Sequence, residues 1–153
     1  MPTALDTPPA STSQLRRPSR VATVLALVVA SVLLTGCLNE HGERSFELAN
    51  AERTARGTPA LVNDFDLNAR AQEWSDHMAA TGHLAHSGGG IPEGATRVAE
   101  NVGYASSVDR IHELFMQSDQ HRRNILRGDV TRVGIGAAVD AKGQVWITQI
   151  FAN

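Results

Sequence analysis

The chain has 153 residues, of which 42% are hydrophobic and 20% charged, with a formal net charge of −2 at neutral pH. That length suffices for one domain with a real core, and no basic stripe stands out, which argues against a nucleic-acid partner. One cysteine is present, too few for an internal disulfide.

Residues 1–20 are rich in Pro, Ser and Thr and close on Arg16, Arg17 and Arg20. The next 14 residues, VATVLALVVASVLL from Val21 to Leu34, carry no charge. Positive residues ahead of an apolar run of this length read as an export signal. Leu34-Thr35-Gly36-Cys37 then resembles the lipobox of bacterial lipoprotein signal peptides, in which the chain is cut before the cysteine and the cysteine is acylated. The resemblance implies loss of residues 1–36 and attachment to the cell membrane through a lipidated Cys37. Two or more acyl chains anchor stably where one does not. The alternative is an uncleaved anchor: counting on to Leu38 gives 18 uncharged residues, near the shortest spanning helix, with the three arginines cytoplasmic. Both readings place the remainder outside the cytoplasm. With Cys37 acylated no free thiol remains, and the domain must rely on its core. Residues 37–45 read as a short polar tether; LNEHGERS, fully extended, reaches about 26 Å.

SFELANAERTARG reads as the first helix, with Ser45 as N-cap, Glu47 in the first turn and Gly57 as the stop. TPALVND is a loop broken by Pro59. DLNARAQEWSDHMAATG carries the clearest helical pattern. Leu67, Ala71, Trp74 and Met78 form one stripe, with Asp66 as cap, Gly82 as end and His77 on the flank. HLAHSGGGIPEGATR is a flexible loop. Its three consecutive glycines lack the Lys-Ser/Thr of a phosphate cradle. VAENVGYA, residues 98–105, reads as a strand. SVDRIHELFMQ is a third helix with Val108, Ile111, Leu114 and Phe115 on its apolar arc and His112 semi-buried at the edge. SDQHRRNIL reads as a polar turn anchored in the core by Ile125 and Leu126, its Arg122, Arg123 and Asn124 fixing loops. TRVGIGAAVD and QVWITQIFA are two strands joined by a hairpin at DAKG, residues 140–143. Helices on both sides of a small antiparallel sheet give an α+β fold, a three-layer α-β-α sandwich.

LANAERTARG, LNARAQEWSDHM, HS, ENVG, SDQHRRNIL, VGIG and WITQIF, in that order, resemble the CAP superfamily, the cysteine-rich secretory, antigen 5 and pathogenesis-related proteins with an SCP-like domain, in bacterial form. The resemblance assigns residues 46–153 to this domain and implies a cleft holding His86, Glu100 and His121. Many members carry a second glutamate three residues after the aromatic of the third helix. Here the aromatic is Phe115 and the residue is Ser118, so the cleft would hold a triad of metal-ligating residues rather than a tetrad.

Two imidazoles and a carboxylate are a ligand set for Zn²⁺, and a carboxylate suits Ca²⁺; otherwise the histidines only hydrogen-bond within the cleft. His83 and His86 would need helical spacing to share an ion, and Gly82 stops the helix before them. HELFM has Met116 where a zincin needs its second histidine, and G-x-S-x-G is absent. Ser87 and Ser118 are weak candidates for a nucleophile, and no catalytic residue is assigned. The reading is a non-catalytic, extracytoplasmic binding domain for a lipid, a wall glycan or a protein partner. The alternative is a divalent-metal-dependent, protease-like hydrolase using the same cleft.

Overall fold

A computed structural model describes residues 38–90, 94–96 and 98–153. The export signal and Cys37 lie outside the described residues. Among the described residues, four helices and four strands follow in chain order: α1 (Glu40–Ala55), β1 (Val62–Asn63), α2 (Phe65–Thr81), β2 (Val98–Ala105), α3 (Val108–Gln117), α4 (Asp119–Leu126), β3 (Arg132–Val139) and β4 (Val145–Ala152). The sheet order is β1-β3-β4-β2. β4 pairs antiparallel with both β2 and β3, and β1 adds a short parallel edge to β3. The α+β sandwich is therefore as expected, while the sheet is mixed. Two residues inside TPALVND extend it: Val62 N–H donates to Thr131 O and Asp64 N–H to Val133 O, each at 2.9 Å.

β4 is buried along its whole length because helices cover both faces. Val145, Ile147 and Phe151 join the core formed with α1, α3 and α4. Trp146 and Ile150 pack with Met78 and Leu67 of α2 on the other face. α2 lies close on β3, and two glycines allow it. A Cβ on Gly134 would fall 2.2 Å from the Leu67 backbone, and one on Gly136 would fall 2.1 Å from that of Ala71. Val133, Ile135 and Ala137, alternating with these glycines, point into the opposite core.

Three helix boundaries differ from the sequence reading. α1 begins at Glu40, capped by Asn39, whose side chain accepts from Gly42 N–H at 2.9 Å. Ser45 is not a cap; it is buried mid-helix and accepts from Gln149 Nε2 at 3.0 Å. Most of the expected tether is thus helix, and Leu38 already packs against the core. The apolar signal is missing because the buried residues of α1 are Gly42, Ser45, Ala49 and Arg53. α2 is capped by Asp64, not Asp66. SDQHRRNIL is not a turn, since residues 119–126 form α4. Ile125 is its buried anchor, whereas Leu114 of α3 is 41% exposed.

Arg53 is 1% exposed. Its guanidinium donates to the carbonyls of Pro59 (2.7 Å), Ile125 (2.8 Å), Arg127 (2.9 Å) and Val130 (3.3 Å). One side chain therefore ties α1 to the end of α4 and the segment entering β3. Burial holds its pKa below the usual arginine value.

Candidate functional site

Glu100 and Asn101 are neighbours in β2, and alternation along a strand sends them to opposite faces. Each one secures a different histidine. Glu100 faces the α2 side, where Gly82, in the left-handed conformation at φ 65°, ends the helix. Trp74 Nε1–H donates to Ala85 O at 2.8 Å and fixes the returning loop. His86 and Ser87 thereby arrive over the Glu100 carboxylate. His86 Nδ1 lies 2.7 Å from Oε1. Ser87 donates its backbone N–H to Oε1 at 2.9 Å and its hydroxyl to Oε2 at 2.5 Å.

Asn101, fully buried, faces α3 and α4. Its Nδ2 donates to His121 O at 3.2 Å and to Gln149 Oε1 at 3.1 Å. Asn124 Nδ2 donates to Asn101 Oδ1 at 2.9 Å and to Glu100 O at 3.3 Å. These bonds seat α4 against β2 and set the position of His121. Its ring packs against Phe115 with centroids 5.0 Å apart and planes at 52°. Burial, and secondarily the nearby His86, hold His121 below the usual imidazole pKa. His121 therefore stays neutral with its lone pair available over a wider pH range than a free imidazole.

The four expected cleft residues line two hollows. His86, Ser87 and Glu100, with Arg70 and Glu73, line one of about 490 Å³. His121 and Ser118 line a smaller one of about 240 Å³, whose floor is Val102, Ile111 and Phe115 and whose rim includes Leu84 and Tyr104. Ser118 is the last turn of α3 giving way to α4, with its N–H donating to Leu114 O and Phe115 O at 3.1 and 3.2 Å. It makes no side-chain cap bond on α4.

Among the described residues no group of three or more His, Cys, Asp or Glu side chains is placed to hold a metal ion. Glu100 instead accepts from His86 and Ser87 through both its oxygens. What the donor set offers a divalent ion is two imidazoles, the first backed by a carboxylate, an arrangement common behind metal-ligating histidines. From sequence, Ser87 was a candidate only as a nucleophile. Its hydroxyl hydrogen is committed to the Glu100 carboxylate. His83 is exposed and joins no such group. His112 is buried between α3 and α1, its Nε2 3.8 Å from Glu52 Oε1 and its Nδ1 without a hydrogen-bond partner among the described residues.

Residues 46–151 match the model of the cysteine-rich secretory protein (CAP) family. Over 127 residues, 76% of this chain and 49% of the other, the sequence is 24% identical to YkwD of Bacillus subtilis, itself uncharacterized. The fold is similar to that of an extracellular SCP-domain protein of Bacillus anthracis, with TM-score 0.63 and 22% identity over 76% of this chain and 41% of that one. It is also similar to an outer surface protein of Borrelia burgdorferi, with TM-score 0.68 and 14% identity over 75% of this chain and 93% of that one. The chain spans about half the length of YkwD and less of the Bacillus anthracis protein.

Proposed function

The chain belongs to the cysteine-rich secretory protein family, and from that premise we propose that it is an extracytoplasmic, non-catalytic binding domain, held at the membrane by a lipidated Cys37. Its ligand, a lipid, a wall glycan or a protein partner, enters the hollows lined by His86 and His121. The observation that carries this reading is the state of Glu100. Hydrolysis at such a site needs a general base within reach of a water, and both Glu100 oxygens already accept hydrogen bonds from His86 and Ser87. Ser118, where a second carboxylate would stand, supplies no replacement. Recognition of an apolar group fits the small hollow, with Val102 and Phe115 below and Leu84 and Tyr104 at the mouth. No helix among the described residues is long and apolar enough to cross a membrane, and the Bacillus anthracis and Borrelia proteins are respectively extracellular and outer-surface.

Zn²⁺ suits the paired imidazoles, and Ca²⁺, which favours oxygen ligands, suits them poorly. A bound zinc would supply Lewis acidity and an anchoring charge for a ligand. NaASP2, a fold neighbour at TM-score 0.53 and 10% identity, has a structure determined with Zn²⁺. The test is hydrolysis of fluorescent casein by the zinc-supplemented full chain. No activity above that of His86→Ala is expected. Zinc-dependent cleavage abolished by His86→Ala would establish the hydrolase instead.

A further inference from the structure

The hydrogen bonds around Glu100 have a direction. An ionised carboxylate accepts and never donates. Ser87 N–H donates to Oε1 and Ser87 O–H to Oε2, while Gly89 N–H donates to Ser87 Oγ at 3.2 Å. The serine hydroxyl, accepting from Gly89, has its own hydrogen free for Glu100. Held on both oxygens, the carboxylate is left facing His86 Nδ1 at 2.7 Å, so that nitrogen carries a proton and, in the neutral ring, Nε2 carries the lone pair. The Glu100 side chain is 12% exposed against 54% for His86. The carboxylate is thus the sheltered, rigid member, and the imidazole is the one presented outward.

We infer that Ser87 is the positioning residue of this site: it clamps Glu100 so that the carboxylate, with most of its lone pairs engaged, fixes the Nδ1–H form of His86 and serves that imidazole ahead of any bound cation. The inference rests on the two-imidazole reading above and deepens it. With Glu100 serving His86, the imidazoles of His86 and His121 would fill two of the four places zinc prefers. The ligand that occupies the hollow supplies the rest through oxygen or nitrogen donors of its own. Recognition of metal and ligand is then joint, and a ligand lacking such donors gains nothing from the ion.

The test uses the full-length chain labelled with ¹⁵N-histidine, first metal-free and then titrated with Zn²⁺ alone. In the parent, long-range ¹H–¹⁵N spectra should show His86 with a protonated Nδ1 and an unprotonated Nε2. Ser87→Ala keeps the backbone N–H but loses the hydroxyl. His86 should then show a mixture of tautomers, and zinc affinity should fall about tenfold, the lower end of losses from removing a residue behind a metal ligand. Ser87→Thr restores the hydroxyl and should restore both readouts, which a general loss of folding would not allow. An unchanged tautomer in Ser87→Ala overturns the inference, as does a Ser87→Thr variant that behaves like Ser87→Ala. If the parent takes no zinc yet its tautomer still responds to Ser87→Ala, the clamp stands and the metal reading fails.

Discussion

Replacing Arg53 by methionine removes four hydrogen bonds while keeping most of the side chain's volume. The four acceptors are the carbonyls of Pro59, Ile125, Arg127 and Val130. A buried acceptor left without a donor costs about 1–3 kcal/mol. Relaxation and entering water satisfy some of the four. Removal of the buried charge returns part of the loss, because its desolvation, visible in the depressed pKa, opposes folding. The expected net destabilisation is about 3–5 kcal/mol, four stranded acceptors at about 1–3 kcal/mol each less what relaxation and the lost desolvation return. Arg53→Lys keeps a charge and three donors for the four acceptors, and should lose about half as much. Urea unfolding of both variants, followed by tryptophan fluorescence, gives the two differences directly. Ile125 and Arg127 end α4, so the methionine variant should also loosen the helix that carries His121. A methionine variant within about 1 kcal/mol of the parent would refute the reasoning, since the bonds would then return no more than the charge costs.

Gly136→Ala drives a Cβ into the α2 backbone 2.1 Å away. It should cost at least about 3 kcal/mol, the upper range for overpacking, and lower the melting temperature accordingly. Asn101→Ala strands the His121 carbonyl and Gln149 Oε1. It should cost about 2–3 kcal/mol in urea and weaken zinc binding without touching either imidazole. His112 and His121 both titrate below the ordinary 6.5, chiefly through burial. The unfolded chain therefore takes up protons first, so the stability they contribute is complete above 6.5 and declines as pH falls through and below it. The urea midpoint should drop as pH falls through and below about 6.5, and His112→Leu should flatten that slope. Glu100→Gln leaves an amide before His86. It should release the Nδ1–H preference and lower zinc affinity about tenfold or more.

The elements with clean periodicity were legible from the sequence. β2 has the expected residues, α2 ends at Gly82, and the hairpin turns within DAKG. Hydrophobic patterning fails where small or polar groups do the packing. The inward stripe of α1 is Gly42, Ser45, Ala49 and Arg53, so residues 40–45 looked like a tether. α4 is short and polar with Ile125 as its only buried residue, and it reads as a turn until Asn101 and Asn124 are seen docking it. At the site, family motifs pointed to His86, Glu100 and His121. They could not show that Glu100 serves His86, because that depends on Ser87, whose hydroxyl is informative only once its partner is known. Arg53 gave no signal either: an arginine in a polar helix resembles a solvated one until four carbonyls from distant segments converge on it.

The central claim is that His86 and His121, brought from opposite faces of β2, serve one ligand site. The most direct measurement follows the Nε2 resonances of all histidines in the full-length chain as zinc is added. One equivalent should shift His86 and His121 together and leave His41, His77, His83 and His112 unmoved. A shift at only one of the pair, or at a different pair, would contradict the account.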